Sequence, residues 1–235
     1  MAVAGRPRVP VRLVSWDDVV EWSRGLARRV EESGWRPDLV VAVARGGFVP
    51  ARLLCDFLDV TNLLSVQSQH WVEAARAAER AILKFPYTVD ASGLNVLVVD
   101  DIVDTGETLA LARDFIAREW KPREVRIAAL QWISSVAKVR PDYYYLEVRE
   151  WVWFQYPWTR LEDLQQFILR VLREDEKLAG RVVGEEELRS VFVEWYGVRP
   201  EDFGWYWGEA LERLVRRGDL ERTPQGYRLA SGRRG

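Results

Sequence analysis

Residues Val96–Leu109 read VLVVDDIVDTGETL, and this stretch predicts both the fold and a binding site. Its apolar first half is typical of a buried strand, which would carry Asp100 and Asp101 to its carboxyl end, where open α/β sheets bind ligands. The segment Asp104–Thr108 then turns into a helix, whose first backbone N–H groups attract anions, and Gly106 permits the close approach of a phosphate. Paired carboxylates beside a phosphate cradle suit a sugar phosphate. The alternative is a solvated strand end followed by a capped helix, and the complete run favours the binding site.

Similar short apolar runs occur on both sides of this stretch, at Leu39–Ala44, Glu124–Trp132 and Asp142–Val148. They predict strands that are buried on both faces, which is the pattern of parallel sheets. Helical segments separate the strands, at 16–32, about 50–58 and about 108–120. The alternation predicts an α/β fold with a mostly parallel sheet flanked by helices. The polar segment Ser65–Ser92 fits either a small hood over the site or an irregular edge hairpin.

The stretch Val96–Leu109 resembles the signature with which type I phosphoribosyltransferases bind 5-phosphoribosyl-1-pyrophosphate (PRPP). A second element agrees, because AVARGGFVPARLL at Ala42–Leu54 is similar to the pyrophosphate loop of the purine enzymes of this family. The Arg45 guanidinium offers a fork of donors for diphosphate oxygens, and Gly46 and Gly47 leave backbone amides open to the same anion. The resemblance covers roughly residues 10–158. It implies the type I phosphoribosyltransferase fold, in which a small hood accompanies the sheet.

A third element, PDYYYLEVREWVWFQYPW at Pro141–Trp158, is similar to the tail of the xanthine-guanine and archaeal hypoxanthine-guanine enzymes. In that tail a tryptophan stacks on the purine, a contact worth about 1–3 kcal/mol by analogy with nucleic-acid bases. The resemblance implies a purine site at Trp151, Val152 and Trp153, with Trp151 preferred over Trp153 for the stacking. The family's lysine that reads the purine 6-oxo group is absent from the preceding strand. Gln131 is the residue there that would contact the group at purine position 6.

This resemblance implies transfer of ribose 5-phosphate from PRPP to a purine base, with 6-oxopurines favoured, giving a nucleoside monophosphate and pyrophosphate in purine salvage. It implies three catalytic residues: Asp100 and Asp101 at the ribose hydroxyls and Mg²⁺, and Asp104 at the proton on purine N7. The implied 5-phosphate residues are Asp104, Thr105, Gly106, Glu107 and Thr108. The implied pyrophosphate residues are Arg45, Gly46 and Gly47. Mg²⁺ binds through substrate phosphates and one or two carboxylates, so a single histidine, His70, is no objection to it.

The composition of the 235 residues excludes several other classes. Lys and Arg total 34 and Asp and Glu total 36, so no global basic field favours nucleic acid. A single cysteine, Cys55, excludes an intrachain disulfide framework and a cysteine-rich zinc site. No apolar run approaches the roughly 18 residues that span a bilayer, so we expect no membrane partner. We also expect a cytoplasmic protein that forms a homodimer. Asparagine occurs only at Asn62 and Asn95, which fits a protein from a hot environment.

Residues 161–235 are expected to form a C-terminal helical, winged-helix-like extension after a phosphoribosyltransferase domain at residues 1–160. Some family members are regulators that add nucleic-acid recognition, so the alternative function is a non-catalytic PRPP or nucleotide sensor whose C-terminal module binds nucleic acid or a partner. From Thr159 to Gly235 there are 14 Lys or Arg against 15 Asp or Glu, so nucleic acid is not expected as a partner. Packing or an oligomer contact is expected instead, with four aromatic side chains buried: Phe203, Trp205, Tyr206 and Trp207.

Overall fold

The structure, a computed structural model, describes residues 7–73 and 78–230, and for residues 69–73 and 78–81 it describes the backbone alone. The described chain divides into two compact units. Residues 16–151 form the first, which we call the sheet unit; the described residues up to Ser15 together with residues 152–230 form the second, which we call the helical unit. The division therefore lies before the domain boundary predicted at residue 160, because a strand that follows Trp151 pairs with residues 11–13.

The strands and helices of the described residues are numbered in chain order. The strands are β1 (Val11–Leu13), β2 (Leu39–Ala44), β3 (Leu63–Glu73), β4 (Ala78–Lys84), β5 (Asn95–Val103), β6 (Glu124–Ile133), β7 (Tyr143–Val148), β8 (Trp153–Gln155), β9 (Leu220–Thr223) and β10 (Gly226–Leu229). The helices are α1 (Trp16–Glu32), α2 (Phe48–Phe57), α3 (Glu107–Glu119), α4 (Arg160–Glu174), α5 (Glu185–Tyr196) and α6 (Trp205–Arg216). Within the described ranges, no helix combines the length and apolar character that crossing a membrane requires.

The sheet unit is built on a six-stranded sheet in the order β4-β3-β2-β5-β6-β7. Every neighbouring pair is parallel except β3 and β4, so the predicted α/β fold with a mostly parallel sheet is confirmed. All six residues of β2 are buried, as expected for a strand covered on both faces. Val41 and Val43 share a core with α3, and α1 and α2 contact each other on the opposite face. The strand order places the carboxyl ends of β2 and β5 side by side, and the site is built there.

One helix boundary and one strand boundary in the sheet unit differ from the expected ones by two residues or more. Helix α2 begins at Phe48, before the expected Pro50, since a proline in the first helical turn lacks only an N–H that would have no partner there. Strand β5 continues past Asp100 to Val103, because its ladder with β6 goes on through Ile102 and Val103. Asp100 and Asp101 therefore lie within the last four residues of the strand.

The segment that fits either a hood or an edge hairpin contains an antiparallel pair at the edge of the sheet. The β3–β4 ladder runs from the pair Gln67 and Lys84 to the pair Glu73 and Ala78. The segment therefore contains an edge hairpin, and its ladder is regular where an irregular one was expected. The side chain of His70 lies outside the described residues.

The helical unit has the predicted order of three helices followed by an antiparallel β9–β10 hairpin. The third helix is interrupted, because Gly204 has a φ of +56° and separates a 3₁₀ turn at Pro200–Phe203 from α6. Phe203 and Trp207 are buried as expected, and Tyr206 is half-buried. The expectation for Trp205 is wrong, since 67% of its surface is exposed. The 3.6-residue period of α6 turns Trp207 inward, and Trp205 two positions earlier points away.

Candidate active site

Strand β5 presents the acidic pair at the carboxyl edge of the sheet. Asp101 is 7% exposed, and the carboxyl group of Asp100 is enclosed although part of that residue is exposed. The Asp101 N–H donates to Oδ1 of Asp100 at 2.9 Å, and the Ile102 N–H donates to Oδ1 of Asp101 at 2.9 Å. Each carboxyl group is thus held in place by the backbone of the residue that follows it.

The two carboxyl groups of this pair affect each other's ionisation. Burial, and next the negative charge of Asp101, raise the pKa of the Asp100 carboxyl well above its ordinary value. Two adjacent carboxylates repel each other, so ionisation of one carboxyl group makes the other harder to ionise. A cation or hydroxyl donors at this position would relieve that repulsion.

The Arg45-Gly46-Gly47 loop lies directly against this pair. A Cβ atom built on Gly46 would be 2.5 Å from Oδ2 of Asp101, and one built on Gly47 would be 2.3 Å from the carbonyl oxygen of Val99. At Gly47 the neighbour is backbone, so glycine is required there for the loop to approach β5. At Gly46 a Cβ atom would have to displace the carboxylate of Asp101. Arg45 is exposed, and its peptide bond with Ala44 is cis. The structure thereby brings the candidate pyrophosphate residues to the candidate catalytic pair.

The segment from Asp104 to Thr108 leads from β5 into α3. Asp104 and Thr105 are exposed, and the helix begins at Glu107 after Gly106, whose φ is +86°. A Cβ atom on Gly106 would be 2.8 Å from Cβ of Val139. A non-glycine residue would therefore be both strained and crowded at this position. The first turn of α3 carries backbone N–H groups of the kind that attract anions, and the N–H of Glu107 donates to Oγ1 of Thr105 at 3.4 Å.

Lys138 is a residue of this region that sequence reasoning did not assign to the phosphate site. It lies in the connection between β6 and β7, and its backbone N–H donates to the carbonyl oxygen of Thr105 at 2.9 Å. Its Nζ lies 3.0 Å from Oε1 of Glu107. The contact joins residues that are 31 positions apart and depends on the path of the β6–β7 connection, so no local sequence pattern indicates it.

The candidate purine residues are placed differently from one another. Trp153 belongs to the helical unit, where its Nε1 donates to Oδ2 of Asp163 at 3.3 Å and its ring meets Phe167 edge-on with centroids 5.4 Å apart. Trp151 ends the sheet unit and is 37% exposed. Trp153 therefore serves the core of the helical unit, and the accessible ring is that of Trp151.

The other two candidate purine residues are less exposed than Trp151. Val152 is half-buried and begins the part of the helical unit that follows the sheet unit. Gln131 is fully buried in β6. It lies opposite Ile102 of β5 and Leu146 of β7 in the parallel ladders. The structure therefore does not expose the side chain that was predicted to contact purine position 6.

Known proteins resemble this chain in both sequence and fold. The profile of the family described as phosphoribosyl transferase domain matches residues 15–162. A xanthine-guanine phosphoribosyltransferase of Cereibacter sphaeroides is 34% identical over 155 residues, which cover 62% of this chain and 84% of that protein. Another, from a Ruegeria species, is 31% identical over 155 residues and covers 62% of this chain and 83% of that protein.

The fold comparison agrees with the sequence comparison. The crystal structure of a purine phosphoribosyltransferase from Pyrococcus horikoshii matches with a TM-score of 0.53 at 28% identity, covering 63% of this chain and 92% of that chain. The matching range of the family profile includes β2, β5 and α3, the elements that carry both candidate phosphate loops. The resemblance seen in the sequence is confirmed, and the chain belongs to the phosphoribosyltransferase family.

Proposed function

We propose that the protein is a purine phosphoribosyltransferase that transfers ribose 5-phosphate from PRPP to a purine base, with 6-oxopurines favoured, in purine salvage. The observation that carries this proposal is the approach of Gly46 to Asp101, which joins the arginine-glycine loop to the acidic pair at one sheet edge. The names of the relatives, two xanthine-guanine enzymes, support the same reaction. They do not favour the alternative of a non-catalytic sensor.

The reaction breaks the bond between C1 of the ribose and the pyrophosphate oxygen and forms a bond from C1 to a purine nitrogen, with inversion at C1. Positive charge develops on the ribose ring as pyrophosphate leaves, so catalysis consists mainly of holding both groups in line and stabilising charge. The backbone amides around Gly106 would hold the 5-phosphate, and Arg45 would hold the pyrophosphate that departs with the bonding electrons. Asp104, which is exposed beside that loop, would accept the proton from purine N7.

Mg²⁺ is the cofactor that we propose for this site, where it would neutralise the pyrophosphate charge. The described residues hold no group of three or more metal-binding side chains. Two carboxyl groups fit the requirement of Mg²⁺, which takes one or two carboxylates and fills its remaining positions with substrate oxygens and water. The raised pKa of Asp100 fits this assignment, because a nearby cation favours the ionised form of both carboxyl groups.

The purine would stack on Trp151, since the ring of Trp153 is engaged with Asp163 and Phe167. No lysine stands at the place in the sequence where the family has its base-reading lysine, and Gln131 is fully buried. The choice among purines therefore has to be measured.

The test is to incubate the protein with Mg²⁺, PRPP and each of hypoxanthine, guanine, xanthine and adenine, and to measure nucleotide and pyrophosphate. We expect equal amounts of both products with one or two of the 6-oxopurines and no product when EDTA is present. Binding of PRPP without product from any base would support the sensor instead. A salt-sensitive gel shift with DNA would then direct attention to the helical unit.

We also propose a cytoplasmic homodimer from an organism that grows at high temperature. A single cysteine fits a reducing compartment, and scarcity of asparagine fits heat. Phe48, Leu63 and Phe85 of the sheet unit are exposed apolar side chains that a dimer contact would cover. Light scattering coupled to size exclusion and a thermal melt test these statements.

A further inference from the structure

The proposed 5-phosphate loop contains a carboxylate in a place where an anion has to bind. Glu107 is the first residue of α3, and its side chain is 41% exposed. A negative charge in the first turn stabilises an empty helix because it faces the positive end of the helix dipole. The same charge repels a phosphate dianion that binds to the N–H groups of that turn. An uncompensated Glu107 would therefore weaken the binding of PRPP.

Lys138 is built into the structure beside this carboxylate. Its backbone N–H donates to the carbonyl oxygen of Thr105 at 2.9 Å, and the next residue, Val139, lies against Gly106. The connection between β6 and β7 is thus attached to the phosphate loop on both sides of the Lys138 side chain. The ammonium group then lies 3.0 Å from Oε1 of Glu107, with 73% of the lysine side chain exposed.

We propose that Lys138 is a positioning residue that neutralises Glu107, and so keeps the phosphate loop receptive to the 5-phosphate of PRPP and of the nucleotide product. This inference rests on the proposed function, because it assigns a partner to the same phosphate site. Lys138 acts through Glu107. The lysine offsets the negative charge of Glu107, so that a phosphate dianion can bind to the loop. Helix α3 keeps the first-turn carboxylate that stabilises it.

The exposure of the Lys138–Glu107 pair limits the size of the effect. The pair is largely exposed, so water and salt screen its charges. Loss of Lys138 should accordingly raise the KM for PRPP about two- to five-fold, the range expected for charges at an exposed site. The kcat should change by less than about two-fold, because charge in this loop acts on binding of the phosphate in the ground state and the transition state alike.

The experiment is a double-mutant cycle on KM for PRPP and on PRPP affinity by calorimetry, with Lys138→Ala, Glu107→Gln and the double variant. Lys138→Ala alone should raise both the KM and the dissociation constant for PRPP. In the presence of Glu107→Gln, the same lysine change should alter them by less than about two-fold, since no carboxylate remains to be neutralised. Lys138→Arg should keep the wild-type values. The penalty of Lys138→Ala should shrink as KCl is raised.

The matched control is Lys177→Ala in the helical unit, where Lys177 Nζ lies 2.9 Å from Oε2 of Glu194 in a similarly exposed pair. It should leave KM and affinity unchanged. An equal penalty of Lys138→Ala with and without Glu107→Gln would mean that the lysine binds phosphate directly, and would overturn the inference, as would an unchanged KM in Lys138→Ala. Failure of the proposed function is separate, because the wild-type protein would then produce no nucleotide from any base, whether or not it binds PRPP.

Discussion

Two aspartates, one in each unit, have opposite electrostatic environments. Asp100 in the sheet unit lies beside a second carboxyl group, and burial together with that neighbour raises its pKa. Asp175 in the helical unit accepts hydrogen bonds from Trp195 Nε1 at 2.7 Å and from the Lys177 N–H at 2.9 Å, and Arg8 lies 3.8 Å away. Burial acts to raise the pKa of Asp175, but these donors outweigh it and hold the pKa below its ordinary value.

The difference separates a carboxyl group that is arranged for a ligand from one that is arranged for stability. The helical unit extends this pattern to its surface, where arginines pair with carboxylates of the same unit. Arg189 pairs with Glu185 and Glu201, and Arg213 pairs with Glu209. Cations that are already paired are a poor source of phosphate neutralisation.

The largest effect should come from Asp104→Asn in the sheet unit. An amide cannot accept the N7 proton, so we expect kcat to fall by about 10²–10⁴-fold while nucleotide affinity stays near that of the wild type. Steady-state rates and nucleotide titration check this. Unchanged turnover would remove Asp104 from the chemistry and weaken the contrast between the two units.

Gly46→Ala should have the next largest effect. The added Cβ would be 2.5 Å from Oδ2 of Asp101, a short side chain that the Ile102 N–H already holds. Displacing this carboxylate by even part of an ångström should lower kcat/KM on the order of 10²-fold. Kinetics and a thermal melt distinguish this outcome from unfolding. A fully active variant would show that Asp101 is not confined by the loop.

Asp175→Ala should lower the free energy of unfolding of the helical unit by about 1–3 kcal/mol, because it leaves the buried Trp195 N–H without an acceptor. The measurement is calorimetry of the full chain.

Asp175→Asn tests the charge alone. Since the pKa of Asp175 is lower in the folded than in the unfolded chain, its ionised form contributes stability above about pH 4 that disappears as the pH falls through the folded value. The difference in melting temperature between wild type and Asp175→Asn should therefore shrink from pH 6 to pH 3, and a difference independent of pH would contradict the assignment.

The smallest effect should come from Gly208→Ala, the counterpart of the Gly46 substitution in the helical unit. Gly208 lies inside α6, and an added Cβ meets no atom within 4 Å. Alanine should stabilise α6 by about 0.5–1 kcal/mol and leave turnover unchanged. A loss of turnover would mean that this surface takes part in the reaction.

Much of the sheet unit could be predicted because its signals are local. The strand β2 has the predicted bounds, since a six-residue apolar run between polar segments has few other readings. The strand β5, the glycine-containing turn and α3 follow one another without a gap, so this part of the fold could be predicted from a single stretch.

The rest depends on contacts between distant residues. The position of Lys138 beside Glu107 follows from the route of the β6–β7 connection, which no sequence pattern specifies. The engagement of Trp153 with Asp163 could not be predicted either, because it joins β8 to α4 and no local sequence pattern indicates that contact. The interruption of the third helix at Gly204 was missed because an isolated glycine is tolerated within a helical pattern.

The parallel pairing of β1 with β8 has a consequence for biosynthesis. Val11 pairs with Trp153, a residue that is translated about 140 positions later. The sheet unit is thus inserted within the helical unit along the chain. It can emerge from the ribosome complete before β8, the strand that pairs with β1, has been synthesised. Closing so long a loop becomes cheaper once the intervening residues have folded, because the ends of a compact insert are already restrained. The helical unit is therefore expected to be the last part of the protein to fold.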